Sequence, residues 1–158
     1  MNSTYLKSIR IVYFSLAMGI VLFLLVTFFV TNMNGPLAET TISATEKAPF
    51  IIALIILTGT VFMIFKLIFP KKIKIIQSLP TLEKKLITWR ELCILQGALI
   101  EAPAFFAIVL FLLIGVYPLL IWPLVGILLF WLKQPSREKL IIDAKLSTSE
   151  IAEFDNLT

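Results

Sequence analysis

Four apolar segments, separated by short polar links, constrain this chain of 158 residues more than any other feature. The first, residues 11–31, has no charged side chain along its whole length. A helix needs about 20 apolar residues to cross the hydrocarbon layer of a bilayer, so this segment is long enough to span it. The others are residues 50–69, residues 91–114 and the shorter residues 117–132. The pattern predicts an all-α, polytopic membrane protein with a bundle of four transmembrane helices.

The length of the chain allows one membrane domain, residues 1–132, followed by a polar tail, residues 133–158. Two interpretations of the tail stay open. It is either solvated and partly frayed, or it forms short amphipathic helices. In the second case Ser147 and Glu150 are typical of a capping box at the start of the last helix.

The basic loop, residues 70–90, also has two interpretations. Ser78, Leu79 and Pro80 interrupt it, and apolar residues follow at helical spacing from Leu82 to Trp89. This stretch is either a helix lying in the membrane interface or a simple extension of the third span.

Lys and Arg are distributed unevenly between the links. The N-terminal segment has two, the 70–90 loop six and the tail four, against one in residues 32–49 and none in residues 114–118. Positive charge accumulates on the cytoplasmic side, so both termini are predicted to be cytoplasmic, in the inner membrane of a bacterium. A cleaved signal peptide would have an apolar core of ~7–15 residues, which is shorter than the first segment.

The composition argues against several classes of function. Hydrophobic residues make up 59% of the chain, His is absent and Cys93 is the single cysteine, so no internal disulfide can form. We expect no metal site, no cofactor and no enzymatic activity. The basic residues adjoin apolar spans, where they set topology and contact anionic lipid. The expected partners are therefore the lipid bilayer and copies of the chain or other membrane subunits, not nucleic acid.

Glu101 is the outstanding residue of the third span. It follows Arg90 by eleven residues, or ~16 Å along a helix. Half of a bilayer's hydrocarbon layer is ~15 Å thick, which places Glu101 near the midplane. A charged side chain is costly at that depth, and ionisable residues found there usually serve a function.

Three roles for Glu101 compete. In the structural role, a neutral carboxyl forms a hydrogen bond with Thr58 or Thr60 at the centre of the second span. In the second role, the carboxyl is an ion or proton site that loads and unloads. Catalysis is the third, and it is disfavoured because acid–base chemistry usually needs a second titratable group.

The neighbours of Glu101 suit both a site and a packing contact. Gly97 and Ala104 share its face of the helix, so another helix can approach closely. Pro103 has no N–H to donate to the carbonyl of Leu99, which leaves an acceptor one turn from Glu101. These residues therefore indicate either a small polar site or a contact between helices at a kink in the third span.

Residues 98–102, Ala-Leu-Ile-Glu-Ala, with residues 107–109 resemble the carboxylate helix of the proteolipid c subunits of rotary ATP synthases. This resemblance covers about a dozen residues and implies that Glu101 is a proton or sodium site. The first span has Tyr13 and Phe14 where ring-forming c subunits have a Gly/Ala-rich face. The whole pattern, with Glu-Ala-Pro-Ala at 101–104, also resembles small uncharacterised four-span bacterial membrane proteins, which implies no activity.

We therefore expect an integral membrane protein of structural or assembly type. The alternative is a proteolipid-like, proton- or ion-linked subunit that uses Glu101. In either case the supporting residues are Gly97, Pro103, Ala104, Thr58 and Thr60.

Overall fold

Long apolar runs without turn residues make helix the dominant structure of this chain. The computed structural model describes residues 3–37 and 44–156. Its elements are α1 (Ser3–Asn34), α2 (Ala44–Ser78), α3 (Leu82–Ile114), a 3-10 turn (Tyr117–Leu120), α4 (Ile121–Leu132), α5 (Arg137–Ala144) and α6 (Thr148–Asn156). The predicted all-α class is confirmed. In the described part of the chain, three helices are long and apolar enough to cross a membrane, and up to four if the α4–α5 pair, bent by 81°, counts as one span.

Helix α3 is the centre of the fold. It packs against α1, α2 and α4, and α1 also packs against α4. Helix α2 packs on α3 and on α5, without comparable packing on α1 or α4 in the described part of the chain. The arrangement is therefore a three-helix core of α1, α3 and α4 with α2 on one side, which differs from a symmetric four-helix bundle.

Helices α2 and α3 extend well past the predicted spans. Helix α2 continues through Pro70 to Ser78, and α3 starts at Leu82 after a break of three residues. The 35 residues of α2 measure ~52 Å, against ~30 Å of hydrocarbon. The expected start of a loop at Pro70 is therefore wrong, and residues 82–89 extend the third helix. We call the end of the molecule at residues 79–81 the basic end and the opposite end the far end.

The far end is closed by a tight contact between two links. Gly115 ends α3 with φ +67°, and its N–H donates to the carbonyl of Phe111 over 2.9 Å. A methyl group at Gly115 would clash with the ring of Pro36, so only glycine fits both the backbone conformation and the space. The backbone N–H of Leu37 donates to the carbonyl of Leu112 over 3.0 Å, which ties the link after α1 to α3.

The tail is folded and packed. Leu140, Ala144 and Phe154 are buried in the same apolar cluster as residues of the long helices. The predicted capping box forms: the backbone N–H of Ser147 donates to Glu150 over 2.8 Å, and that of Glu150 donates to the Ser147 hydroxyl over 3.3 Å. The structure therefore supports the helical interpretation of the tail. The polar residues 38–43 of the first loop lie outside the described residues.

Candidate functional site

Glu101 lies on the side of α3 that faces α1. Its side chain is half-buried next to Gly19, where an added methyl group would lie 3.9 Å from Oε1 of Glu101 and 3.8 Å from Phe105. The ring of Phe105 stacks on Phe23 of α1, with 5.3 Å between the centroids. Among residues 3–37 and 44–156, no side chain or backbone group forms a hydrogen bond or an ion pair with the Glu101 carboxyl. The small residue Gly19 therefore leaves the carboxyl room at the α1–α3 contact.

Neither Thr58 nor Thr60 forms a hydrogen bond with Glu101 in the described part of the chain, which differs from the structural role expected for it. The hydroxyl of Thr58 donates to the carbonyl of Leu54 over 2.8 Å and accepts from Nε1 of Trp122 over 2.9 Å. Thr60 is exposed and donates to the carbonyl of Ile56 over 2.8 Å. Helix α2 packs on α3 without comparable packing on α1 in the described part of the chain, whereas Glu101 lies beside Gly19 of α1.

Gly97 and Ala104 are buried contact points of α3. A methyl group at Gly97 would lie 2.9 Å from Leu16 of α1 and 3.5 Å from Phe130 of α4. Ala104 faces Gly126 of α4. A methyl group added at Gly126 would lie 3.1 Å from Cβ of Ala104. These small residues allow the three core helices to approach closely.

Pro103 is buried inside α3, which remains one continuous helix from Leu82 to Ile114. Its place in the helix removes one N–H from the backbone ladder.

A second polar feature lies one turn toward the basic end. Gln96 is buried, and its Oε1 accepts a hydrogen bond from the hydroxyl of Tyr13 over 3.2 Å. Tyr13 also packs edge-on against Phe130, with 5.4 Å between ring centroids. The hydrogen bond joins α1 to α3, and the ring contact joins α1 to α4. The hydrogen bond also gives a partner to two polar groups that hydrocarbon could not satisfy.

A cleft of about 440 Å³ adjoins Gln96, and we call it the α2–α4 cleft. Of the lining residues, five lie on α3 and four on α2. Leu129 belongs to α4, Lys133 follows that helix, and Lys139 and Asp143 belong to α5. Trp122 and Thr58 join α4 and α2 on the far side of the cleft. Its walls are mostly apolar, and the lining residues are Phe62, Phe65, Phe69, Ile73, Trp89, Leu92, Cys93, Gln96, Ile100, Leu129, Lys133, Lys139 and Asp143.

Charged groups gather where the cleft meets the basic end. Lys139 of α5 donates to the backbone carbonyl of Lys133 over 3.3 Å. Asp143, one turn later, accepts from Nε1 of Trp89 over 3.1 Å. Burial lowers the pKa of the Lys139 ammonium group, an effect that the nearby Asp143 opposes.

Helix α5 is held at this position from both sides. Gln77 of α2 donates to the backbone carbonyl of Asp143 over 2.9 Å, while Trp89 of α3 binds the side chain of the same residue. Arg10 of α1 donates from Nε to the carbonyl of Pro135 over 3.0 Å, just before α5 begins. The cleft therefore has a fixed polar end built from four helices and a link.

The sequence indicated only part of this cleft. Trp89, Cys93, Gln96 and Ile100 recur at spacings of four, three and four, which marks one face of a helix. The amide of Gln96, which lies within the predicted third span, was the available signal for a second site in the same span as Glu101. Lys133, Lys139 and Asp143 could not be assigned to it, because they reach the cleft only through the docking of α5.

The described residues contain no group of three or more His, Cys, Asp or Glu side chains close enough to hold a metal ion.

The fold and its polar sites define an all-α protein whose apolar helices are long enough to cross a membrane. Comparisons with protein-family models, with curated proteins and with solved structures find no match to this chain.

Proposed function

We propose that the chain is a four-span integral membrane protein of structural or assembly type, in the inner membrane of a bacterium, with both termini cytoplasmic. The 3-10 turn and α4 together measure ~26 Å, which is close to the thickness of a thin bilayer. The fourth crossing would therefore end near Lys133. The basic end then faces the cytoplasm, in keeping with its excess of Lys and Arg.

The proposed role in assembly rests on the position of α2, which leaves part of its surface uncovered. Helix α2 lies outside the three-helix core and contacts α3 along one narrow stripe, in which Leu54, Val61 and Phe69 are buried. Gly59 lies on an uncovered side at mid-span, where an added methyl group would meet no atom within 4 Å. Small residues at uncovered positions let a second helix approach closely, and helix association in lipid depends on such packing. Thr60 is exposed beside it and offers a hydroxyl to a partner.

Cross-linking in membranes tests this contact. In a Cys93→Ala background, which removes the single native cysteine, Thr60→Cys places a thiol on the uncovered side of α2. Ser15→Cys, on an exposed position of α1, is the matched control. We expect an oxidised dimer, or a cross-link to another subunit, from Thr60→Cys alone. Cross-linking from neither variant, or equally from both, would contradict the proposal.

Glu101 supports a second candidate, a proton- or ion-linked membrane subunit. The specific observation is a half-buried carboxyl at the α1–α3 contact with no hydrogen-bonding partner in the described part of the chain. A carboxyl with no fixed partner is free to exchange a proton or a cation.

Carbodiimide labelling in membranes distinguishes the two candidates. An ion site predicts modification of Glu101 that Na⁺ or rising pH suppresses, with Glu91→Gln as the control because Glu91 is exposed at the basic end. Glu101→Gln keeps a donor and an acceptor at nearly the same shape, so it should fold normally. Labelling that neither cation nor pH changes would count against an ion site.

A further inference from the structure

The α2–α4 cleft lies where α2 and α4 are separated along α3. Helices α2 and α4 both pack on α3, without comparable packing on each other in the described part of the chain. The hydrogen bond between Trp122 and Thr58 closes the gap between them toward the far end. We therefore infer that the cleft opens between α2 and α4, toward the surrounding lipid, in the half of the molecule nearest the basic end.

The wall of the cleft suits a hydrocarbon chain. Along α2 its side is formed by three Phe and one Ile at spacings of three and four, and α3 and α4 add aliphatic side chains. The volume of about 440 Å³ lies within the ~300–1,000 Å³ range of small-ligand pockets. This volume fits one chain and not a second helix, which has a diameter of ~10–12 Å.

The charge at the basic end of the cleft suits a phosphate. Two ammonium groups, Lys133 and Lys139, line the cleft with one carboxylate, Asp143. The carboxylate already accepts from Trp89, whereas Lys139 uses one of its three N–H donors on the backbone of Lys133. An excess of positive charge and free donors therefore remains where the apolar wall ends.

From this arrangement we propose that the α2–α4 cleft binds an amphiphile with one hydrocarbon chain and a phosphate head. The chain lies between α2 and α4 against α3, and the phosphate binds Lys133 and Lys139. Both a monoacyl phospholipid and an isoprenoid phosphate have this chemistry. The inference does not depend on self-association through α2, because the cleft is formed within one copy of the chain.

Three probes show which part of the ligand is needed for binding. Their binding to the full chain in detergent is measured by native mass spectrometry. Oleoyl lysophosphatidate supplies chain and phosphate, monooleoylglycerol the chain alone, and inorganic phosphate the head alone. We expect the first to bind most tightly. Equal binding of monooleoylglycerol, or binding of inorganic phosphate as tight as that of the lysophosphatidate, would overturn the proposal. Farnesyl phosphate as a fourth probe shows whether an acyl or an isoprenoid chain is preferred.

The lysines are tested with variants of matched charge. Lys133→Gln with Lys139→Gln should weaken binding of oleoyl lysophosphatidate by about tenfold or more. Lys72→Gln with Lys84→Gln, two exposed lysines outside the cleft, makes the same change in net charge and should leave the affinity unchanged. Equal loss in both double variants would mean general electrostatic attraction and would overturn the site.

Two single variants keep the test decisive if the double variant is unstable. Lys139→Arg retains a charge and donors and should keep most of the affinity. Lys133→Gln alters an exposed side chain and should weaken binding of oleoyl lysophosphatidate more than either Lys72→Gln or Lys84→Gln alone. An affinity for oleoyl lysophosphatidate that stays unchanged in Lys133→Gln would contradict the proposed position of the phosphate.

Discussion

Lys85 of α3 and Glu150 of α6 form an ion pair with 2.7 Å between Nζ and Oε1, although the Lys85 side chain is only 8% exposed. The second carboxylate oxygen of Glu150 accepts from the backbone N–H of Ser147 over 2.8 Å. The carboxylate of Glu150 thus caps α6 and also neutralises the buried ammonium group of Lys85 in α3. This pair joins the tail to the basic end of the long apolar helices.

Removing the carboxylate should destabilise the protein. Glu150→Ala leaves the Lys85 ammonium group buried without its partner, and we expect a loss of about 1–3 kcal/mol in the free energy of unfolding. Glu153→Ala is the control, because Glu153 lies on the exposed side of the same helix. Unfolding in detergent measures both variants. Losses of equal size would show that the ion pair contributes nothing specific.

The same pair predicts a dependence on pH. The hydrogen bond from Lys85, followed by that from the Ser147 backbone, holds the pKa of Glu150 below its ordinary value of 4.5. A carboxylate whose pKa is lower in the folded state stabilises the fold above its unfolded pKa and loses that contribution as pH falls through the folded pKa. The native chain should therefore be more stable than Glu150→Gln at pH 7, and this difference in the free energy of unfolding should shrink below about pH 4. A difference that grows on acidification would have the wrong sign.

Deletion of residues 147–158 tests the role of the tail. The membrane helices precede it, so the truncated chain should still be found in the membrane fraction. It loses the buried ring of Phe154 and the partner of Lys85, and the unfolding free energy should fall by about 3–5 kcal/mol. Absence of the truncated chain from the membrane fraction would mean that insertion itself depends on α6.

Gly115→Ala and Gly19→Ala should have opposite effects. At Gly115 the positive φ costs about 1–2 kcal/mol for any L side chain, and the methyl group also meets Pro36. At Gly19 the nearest contacts are ordinary at 3.8 and 3.9 Å, and alanine gains up to about 1 kcal/mol of helix propensity. Thermal unfolding of the two variants in the same detergent checks this. A destabilised Gly19→Ala would show that the carboxyl of Glu101 needs all of the space beside it.

Reporter fusions test the orientation. A reporter joined to the chain truncated after Ala44 should report the outside, and reporters joined after Lys85 or Lys145 the inside, because Lys and Arg gather at the basic end. An inside signal from the Ala44 fusion, in a chain with an intact first span, would overturn the orientation. It would also place Lys133 and Lys139 on the outer side of the membrane.

The sequence by itself determined that the long apolar segments are helical, and it indicated the capping box of α6. The depth of Glu101 in a bilayer stays a prediction from the sequence. Those features depend on runs of apolar residues and on neighbours within a few positions, which are local properties of the chain. Composition and charge were also sufficient to predict helices of membrane-spanning length and a preferred orientation.

Only the tertiary structure decided which residues meet. The polar side chains of α1 and α3 are few and form no continuous stripe that indicates which face turns inward. Consequently the sequence could not show that Glu101 faces Gly19 or that Thr58 binds Trp122. The docking of α5 and α6 depends on contacts more than fifty positions apart in the chain, such as Trp89 with Asp143. Such contacts have no local signal, and they create the charged end of the α2–α4 cleft.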